Sequence, residues 1–410
     1  MSNMFEIEKI REQFPILERE VYGKKLIYLD SAATAQKPLC VVERMSELLL
    51  KDNANIHRGV HLLSEEMTAR YEAAREVVRQ FIGAESREEV VFTSGATMSL
   101  NLVASSWCEK FLHEGDNVVV SHIEHHSNIV PWQLAVERKG AELRVIPVAD
   151  SGELELDTLD TLIDERTKVV AVTQASNTLG TRPDLPKIVA KAHSVGAIVV
   201  VDGCQGVVHG GVDVRALDCD FYAFSGHKLY GPTGIGVLYG KRELLDAMPP
   251  YMGGGDMVDK VSFAKTTYAP LPLKFEAGTS NYIGAIGLAE AIRFLQGLSK
   301  EEVETHEKEL LDYATAELQK IEGVRIYGTT EDKSPIISFN IEGCDHYDIG
   351  MILDKQGVAV RTGHHCAEPV MARYGTNGVV RASIALYTSK EDIEMFVKAV
   401  KRAVSMLKNF

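Results

Sequence analysis

Seven short apolar runs alternate with helix-length segments between about residues 88 and 240. The runs read VVFT, NVVVSH, LRVIPV, KVVAVTQ, AIVVVD, FYAFSG and GIGVLYG. Continuous β-branched stretches at this spacing indicate strands that are buried on both faces and joined by right-handed crossovers. The pattern predicts an α/β fold built on a mostly parallel seven-stranded sheet, whose ligands bind at the carboxyl ends of the strands.

The composition limits the kinds of partner that a protein with such a fold can have. The chain has 410 residues, of which 45% are hydrophobic and 25% charged, and its formal net charge of −14 argues against nucleic acid or an anionic membrane as the main partner. Neither a signal peptide nor a stretch of transmembrane length is recognisable. The six cysteines show no CxxC spacing, which is typical of a reducing compartment, so we expect a cytoplasmic protein.

The pattern changes after the seventh run. From Pro249 to Asn281 the chain is rich in Gly and Pro and shows no clear periodicity, which predicts either a long functional loop or a mobile domain linker. Helical spacing from Val303 to Ile321, the strand-like runs PIISFNI, GVAVRTG and VVRASIALY, and a closing helix at about 391–407 then indicate a smaller α+β domain. The expected division is an N-terminal helical segment near the small domain (1–22), a large domain (23–290) and a small C-terminal domain (291–410).

An acid and a lysine follow two consecutive runs of the predicted sheet. Asp202 ends AIVVVD, and Lys228 lies in SGHKLYG after FYAF. Strands that are consecutive in sequence are usually neighbours in space. A lysine and an acid in one crevice suit pyridoxal 5′-phosphate, which needs a Schiff-base lysine and an acid beside its pyridinium nitrogen. A plain ion pair at the sheet edge is the alternative.

The segment VVFTSGATMSLNLVASSW predicts a strand, a tight turn and a helix. Its turn residues Gly95, Ala96 and Thr97 would leave N–H groups unpaired at the helix N-terminus, where phosphate binds. A simple Ser/Thr helix cap would have the same geometry.

Histidines and a carboxylate follow the run NVVV. Together with His364, His365 and Cys366, they could supply zinc ligands; these upstream residues are His122, Glu124, His125 and His126. No HExxH or CxxC spacing supports a metal, and adjacent residues on extended chain point in opposite directions, so we predict no metal site. An imidazole here could instead stack on a flat cofactor ring, and Gln205 could hydrogen-bond the phenolic oxygen of that ring.

The hexapeptide from Arg361 to Cys366 places a cysteine among an arginine and two histidines. Nearby positive charge favours the thiolate, the form of cysteine that attacks electrophiles or binds metals. The residues alone leave three readings of Cys366 open: a nucleophile, a metal ligand, or part of a turn whose histidines only satisfy backbone groups.

Five motifs together resemble the SUF-type cysteine desulfurases, a group of the class V aminotransferase family that includes selenocysteine lyases. They are NIHRGVH (55–61), EHHSNIVPW (124–132), DGCQ (202–205), SGHK (225–228) and RTGHHC (361–366). The resemblance extends from YLDSAA near residue 28 to RASIALY near residue 387. It implies the type I fold of pyridoxal-phosphate enzymes and a homodimer with the cofactor near the subunit interface.

The resemblance also implies roles for individual residues. Lys228 would be the Schiff-base lysine, Asp202 the pyridinium partner, His125 the stacking imidazole, Gln205 the contact to O3′ and Cys366 the nucleophile that accepts sulfur. The phosphate would be held by residues of the turn and the lysine strand, with one from the other subunit: Gly95, Thr97, Ser225, His227 and Thr279. The substrate would be bound by Asn177, Arg381, His57 and Arg361, and Asn177 would also contact the cofactor.

The activity implied is the conversion of L-cysteine to L-alanine with a persulfide left on Cys366, for iron–sulfur cluster assembly. Only 15 positions separate Cys366 from Arg381, so the cysteine loop is short and we expect a dedicated sulfur-accepting protein of the SUF system as partner. Two alternatives are a selenocysteine lyase of the same fold and a non-enzymatic carrier of metal or sulfur.

Overall fold

The computed structural model describes residues 5–408, and a seven-stranded sheet forms the centre of the larger part. Its strand order is Val90–Thr93, Gly236–Gly240, Phe221–Ser225, Ile198–Asp202, Thr167–Thr173, Asn117–Ser121 and Glu142–Ile146. The strand Gly236–Gly240 is antiparallel to both neighbours, and the other pairs are parallel. The prediction of a mostly parallel seven-stranded sheet in an α/β fold is therefore confirmed.

The continuous apolar runs reflect burial of the sheet on both faces. In the strand Ile198–Asp202 every residue is buried, and its side chains alternate between two apolar layers. Val199 and Val201 pack on one face, and Ile198 and Val200 on the other, because successive side chains of a strand point to opposite faces. The longer helices of this part are Leu39–Glu47, Leu62–Ile82, Ala96–Phe111, Val130–Lys139, Leu185–Ser194 and Tyr282–Gln296.

A separate antiparallel sheet forms the C-terminal part. Its strand order is Val324–Tyr327, Ile336–Ile341, Val379–Ser383 and Arg361–Gly363. The helices of this part are Lys300–Gln319, His346–Asp354, Glu368–Arg373 and Lys390–Lys408. The smaller C-terminal α+β unit of the predicted fold is thus present.

The Gly- and Pro-rich region after residue 249 contains structure that periodicity did not indicate. Val258–Val261 and Thr266–Tyr268 form an antiparallel hairpin, followed by a short helical turn at Leu273–Phe275. Both strands are short and largely exposed, so neither shows the alternation of apolar and polar residues that marks a half-buried strand. The expectation of a region without regular structure was wrong for this hairpin.

The N-terminal segment contacts the C-terminal part. The helix Ile7–Glu12 carries Arg11, whose buried guanidinium donates to Asp392 Oδ2 at 2.6 Å and to the Tyr387 carbonyl at 2.7 Å. The strand Ile27–Tyr28 pairs in parallel with Val358–Ala359, so the chain contacts the C-terminal part beyond residue 22 as well. Residues 1–4 of the expected segment lie outside the described residues, and the expected domain limits stay predictions.

Shorter elements occur as well. They include the hairpin strands Glu20–Val21 and Lys24–Lys25 and the helices Leu159–Leu162, Val214–Leu217 and Arg242–Ala247. Within residues 5–408, none of the helices combines the length and apolar character needed to cross a membrane.

Candidate active site

A cavity of about 180 Å³ lies where the central strands of the large sheet end and the small sheet approaches them. Residues that follow five of the large-sheet strands line one side, and residues of the C-terminal part line the other. The lining includes Ala96, Thr97, His125, Asn177, Ser225, His227, Lys228, Arg361, His365, Cys366 and Arg381. The structure therefore brings together most of the residues singled out in the sequence, and it adds Ala32, Ala33, Ser127 and Cys204.

Asp202 and Lys228 belong to neighbouring parallel strands. Asp202 pairs with Ala223 of the strand Phe221–Ser225. Lys228 is the last residue of the helical turn that follows this strand. The buried Asp202 carboxylate is fixed by the backbone N–H of Cys204, which donates to Oδ1 at 3.0 Å. No ion pair joins Asp202 to Lys228 in the part of the chain that the structure describes, so the plain ion-pair reading is wrong. The amine instead faces the cavity.

His125 is held as a neutral ring at the cavity wall. Its Nδ1 lies 2.8 Å from Ser127 Oγ and 3.1 Å from the Ser127 backbone N–H, which orient the imidazole. Burial, and then the neighbouring charge of Lys228, lower the pKa of His125 to about 4. A neutral, planar imidazole of fixed orientation is suited to stacking against a flat ring rather than to carrying charge at neutral pH.

The predicted strand, turn and helix are present around Gly95. The helix starts at Ala96, and the Ala96 N–H donates to Ser225 Oγ at 2.9 Å. Gly95 has φ of +154°, and a Cβ on Gly236 of the adjacent strand would lie 2.4 Å from the Gly95 Cα. The two glycines thus let the turn pack directly on the sheet, with the N-terminus of a 16-residue helix at the cavity.

The backbone around Cys366 is strained and well anchored. His365 and Cys366 have φ of +53° and +55°, in the left-handed region that residues other than glycine seldom adopt. The Cys366 carbonyl accepts the His126 N–H at 2.7 Å, and the Cys366 N–H donates to His364 Nδ1 at 3.2 Å. These contacts aim the cysteine into the cavity from the C-terminal part.

Arg381 connects the two parts at the cavity. It is fully buried, and its guanidinium donates to the Asn177 carbonyl at 2.9 Å and to Asp30 Oδ1 at 3.2 Å. Asn177 in turn donates through Nδ2 to the His365 carbonyl at 2.9 Å. Burial lowers the pKa of Arg381 to about 10, so the side chain stays cationic at neutral pH and suits an anionic ligand group.

Some predicted residues lie away from the cavity lining. Gln205 is buried and donates to the carbonyl of Ala32 at 2.9 Å. His57 packs edge-on against Tyr71, and Thr279 is exposed, so a single chain does not bring either of them to the cavity. Their assigned roles stay predictions.

Two contributions to the site had not been identified as such from the sequence. Asp30, which pairs with Arg381, lies in YLDSAA, a segment that marks only the start of the family resemblance. Glu124, considered as a zinc ligand, is fully buried and accepts hydrogen bonds from the Thr173 N–H at 2.8 Å, from Asn128 Nδ2 at 2.7 Å and from Ser121 Oγ. It therefore supports the loop that carries His125. Burial raises the pKa of Glu124 to about 8.

Comparisons with known proteins agree in family, length and fold. The model of the class-V aminotransferase family matches residues 27–396. The probable cysteine desulfurase of Vibrio cholerae is 49% identical over 404 residues, covering 98% of this chain and 100% of that protein. The cysteine desulfurase of Dickeya dadantii is also 49% identical, and the alignment covers 98% of each chain.

Solved structures extend this agreement. The Escherichia coli cysteine desulfurase CsdA has a TM-score of 0.92 at 42% identity and covers 98% of this chain and 100% of its own. An apo cysteine desulfurase from Thermococcus onnurineus NA1 has the same TM-score at 40% identity, with 98% of each chain covered. A mutant of C-DES with glycine covalently linked to its PLP cofactor shares the fold, with a TM-score of 0.82 at 21% identity.

Proposed function

Because this chain belongs to the class-V aminotransferase family and is a cysteine desulfurase, we propose that it binds pyridoxal 5′-phosphate through Lys228 and passes the sulfur of L-cysteine to Cys366. The observation that carries the proposal is that Lys228 and Cys366, which come from different sheets, line the same cavity. An amine that can hold a cofactor and a thiol that can accept sulfur thus line one cavity.

The residues present fit the proposed cofactor. The amine of Lys228 faces the cavity without an acidic partner among residues 5–408, and His125 is neutral and fixed in orientation. Thr97, Ser225 and His227 line the same cavity beside the N-terminus of the helix Ala96–Phe111, which suits a phosphate. We assign Asp202 to the pyridinium nitrogen and Gln205 to the phenolic oxygen. When bound, pyridoxal phosphate supplies an electron sink for the negative charge that develops at the substrate Cα.

The chain's own side chains then divide the remaining work. Arg381 and Asn177 bind the substrate carboxylate, with Arg361 at the exposed rim of the cavity. Lys228 Nζ accepts the Cα proton and later returns a proton to the product. The Cys366 thiolate attacks the substrate sulfur, so that a new S–S bond forms as the C–S bond breaks. The balanced outcome is L-alanine and a Cys366 persulfide.

We further propose a homodimer in which each chain completes the partner's site. Large apolar side chains are exposed on the segment that contains His57 and its neighbours; examples are Leu49, Leu50, Val60, Leu62 and Leu63. Phe263 is fully exposed on the hairpin that precedes Thr279. Burying these surfaces against a second copy would favour association and would bring His57 and Thr279 to the partner's cavity.

The anchoring of the cysteine segment supports a dedicated sulfur acceptor of the SUF system. Because hydrogen bonds hold both sides of Cys366, the thiol is unsuited to swinging out to a distant protein. The acceptor therefore docks at the cavity mouth and takes sulfur for iron–sulfur cluster assembly. The six free cysteines suit the reducing cytoplasm.

Alanine release from L-cysteine, measured with and without a reductant, tests the proposal. We expect Cys366→Ala to keep the cofactor absorbance and lose alanine release, and Lys228→Ala to lose both the normal absorbance and activity. Cys344→Ala, which removes a partly exposed cysteine elsewhere in the C-terminal part, is the matched control and should stay active. Full turnover by the Cys366 variant would refute the assignment.

Selenocysteine lyase activity is the second proposed function, because L-selenocysteine differs from L-cysteine only in its chalcogen. Selenium leaves carbon more readily than sulfur, so L-selenocysteine depends less on the nucleophile. The Cys366→Ala protein should then retain turnover of L-selenocysteine while losing turnover of L-cysteine. Loss of both activities would exclude the lyase.

A further inference from the structure

Three metal-ligating side chains meet beside Cys366, outside the proposed cofactor contacts. They are His126, His364 and Glu368, and one ligand atom from each lies within 4.8 Å of the other two. No second group of three His, Cys, Asp or Glu side chains meets this limit in residues 5–408. The cluster joins the large part of the molecule, through His126, to the C-terminal part.

The cluster is preset by backbone contacts. The His126 N–H donates to the Cys366 carbonyl at 2.7 Å, and the Glu368 N–H donates to His126 Nε2 at 3.2 Å. The His126 and His364 rings stack with centroids 5.7 Å apart, and a Glu368 carboxylate oxygen lies 3.5 Å from His126 Nε2. The backbone bond between His126 and Cys366 thus brings the three residues together, and the exposed side chains of His364 and Glu368 supply two of the donors.

We propose that His126, His364 and Glu368 form a binding site for a divalent transition-metal ion, with Zn²⁺ the best match, and that occupancy of this site blocks sulfur transfer to Cys366. Two imidazoles and one carboxylate form a donor set that zinc uses in proteins, with the fourth position left to water or another ligand. The site is distinct from the pyridoxal-phosphate contacts and holds no resident cofactor of the reaction.

Hydrogen bonding explains how the ion would affect Cys366. His364 Nδ1 accepts the Cys366 N–H at 3.2 Å. An ion on Nδ1 would take the lone pair that accepts this bond, and an ion on Nε2 would force the ring proton onto Nδ1. The same reasoning applies to His126 and the Glu368 N–H. Metal binding on either nitrogen thus breaks the amide contacts on both sides of Cys366 and moves the thiol from its position.

Direct binding measurements on the holoenzyme test the site. Equilibrium dialysis with Zn²⁺ should give about one ion per chain for the wild type. Glu368→Gln and His126→Asn should each weaken binding by at least about tenfold, because the loss of a direct ligand costs no less than the loss of a supporting contact. His113→Asn, which removes an exposed histidine elsewhere, is the matched control and should bind as the wild type does. Cys366→Ala should also retain the ion.

Inhibition of alanine release by Zn²⁺ is the second test. Of the two tests, only this one rests on the proposed function. At free Zn²⁺ concentrations fixed by a metal buffer, alanine release should fall in the wild type and recover when a chelator is added. Glu368→Gln should resist inhibition at least tenfold better. The proposal is overturned if Cys366→Ala abolishes binding while Glu368→Gln and His126→Asn bind normally, since the ion would then sit on the thiol. If the wild-type protein binds zinc as expected but releases no alanine from L-cysteine, the result would refute the proposed desulfurase activity and leave the proposed metal site standing.

Discussion

A buried ion pair near the turn at Gly95 gives the sharpest stability prediction. Arg75 is completely buried, and its guanidinium donates to Glu276 Oε1 at 2.6 Å and to Oε2 at 2.9 Å. The same carboxylate accepts the Phe92 N–H at 2.7 Å and the Tyr71 hydroxyl at 2.8 Å. Glu276 therefore fixes the strand Val90–Thr93, which leads into the turn at Gly95, and the start of the segment that carries Thr279.

The substitution Glu276→Gln keeps the shape of this side chain and removes its charge. At either end the NH₂ group of the new amide would face an Arg75 nitrogen and lose that hydrogen bond, because, of the other donors, only the Tyr71 hydroxyl can turn to accept a hydrogen bond from it. A hydrogen bond to a charged group is worth about 1.5–3 kcal/mol, and Arg75 would in addition keep an uncompensated buried charge. We expect a loss of about 3–5 kcal/mol in the free energy of unfolding, as for other broken buried pairs.

Urea unfolding of the holoenzyme, followed by tryptophan fluorescence and circular dichroism, measures this loss. With a slope of about 3 kcal/mol per M, the midpoint should fall by roughly 1 M or more. Glu72→Gln is the control, because Glu72 also pairs with Arg75 but is partly exposed, and should cost less than about 1 kcal/mol. The double variant Arg75→Met with Glu276→Gln should be more stable than Glu276→Gln alone. Equal effects of the two glutamate substitutions would refute the reasoning.

Three further predictions concern the site. Burial, and then the charge of Arg381, lower the pKa of His365 to about 2. The contribution of His365 to the free energy of unfolding is therefore fully present above about pH 6.5 and is lost as the pH falls. At pH 5.5 this loss is about 1.4 kcal/mol. His365→Asn should reduce the fall in the urea midpoint between pH 7.5 and pH 5.5. An equal fall in the variant and the wild type would contradict this role of His365. Arg381→Lys loses the paired contacts to Asn177 and Asp30, and it should raise KM for L-cysteine by about 10–100-fold with cofactor absorbance retained. Iodoacetamide followed by mass spectrometry should leave three cysteines unmodified in the native protein because burial raises their pKa values: Cys108, Cys204 and Cys219.

The sequence was most informative where the signal is local. A strand buried on both faces appears as a continuous apolar run, and its carboxyl end is the last residue of that run. This is why the sequence alone places Asp202, His125 and Lys228 at one edge of a sheet. The parallel order of the strands then brings His125 and Lys228 to one cavity wall, and Asp202 ends a strand between theirs.

The contacts that complete the site connect residues far apart in sequence, and no local pattern indicates them. Arg381 and Asp30 are separated by 351 positions, and Arg75 and Glu276 by 201. Their pairing depends on how the C-terminal part and the loops pack against the large sheet. The hairpin of residues 258–268 was missed for another reason, since its strands are short and exposed and lack an apolar face.

The conformation of the cysteine segment follows from this packing. The strand Arg361–Gly363 belongs to the small sheet, whereas Cys366 must reach a cavity formed by the large one. The chain makes that turn within three residues by placing His365 and Cys366 in the left-handed region, which costs conformational energy. Asn177 offsets this cost by holding the His365 carbonyl, and His126 does so by holding the Cys366 carbonyl. Because both anchors come from the large part, the Cys366 thiol is positioned only when the two parts are packed together. Any ligand that disturbs these anchors therefore acts on the reaction without entering the cofactor pocket.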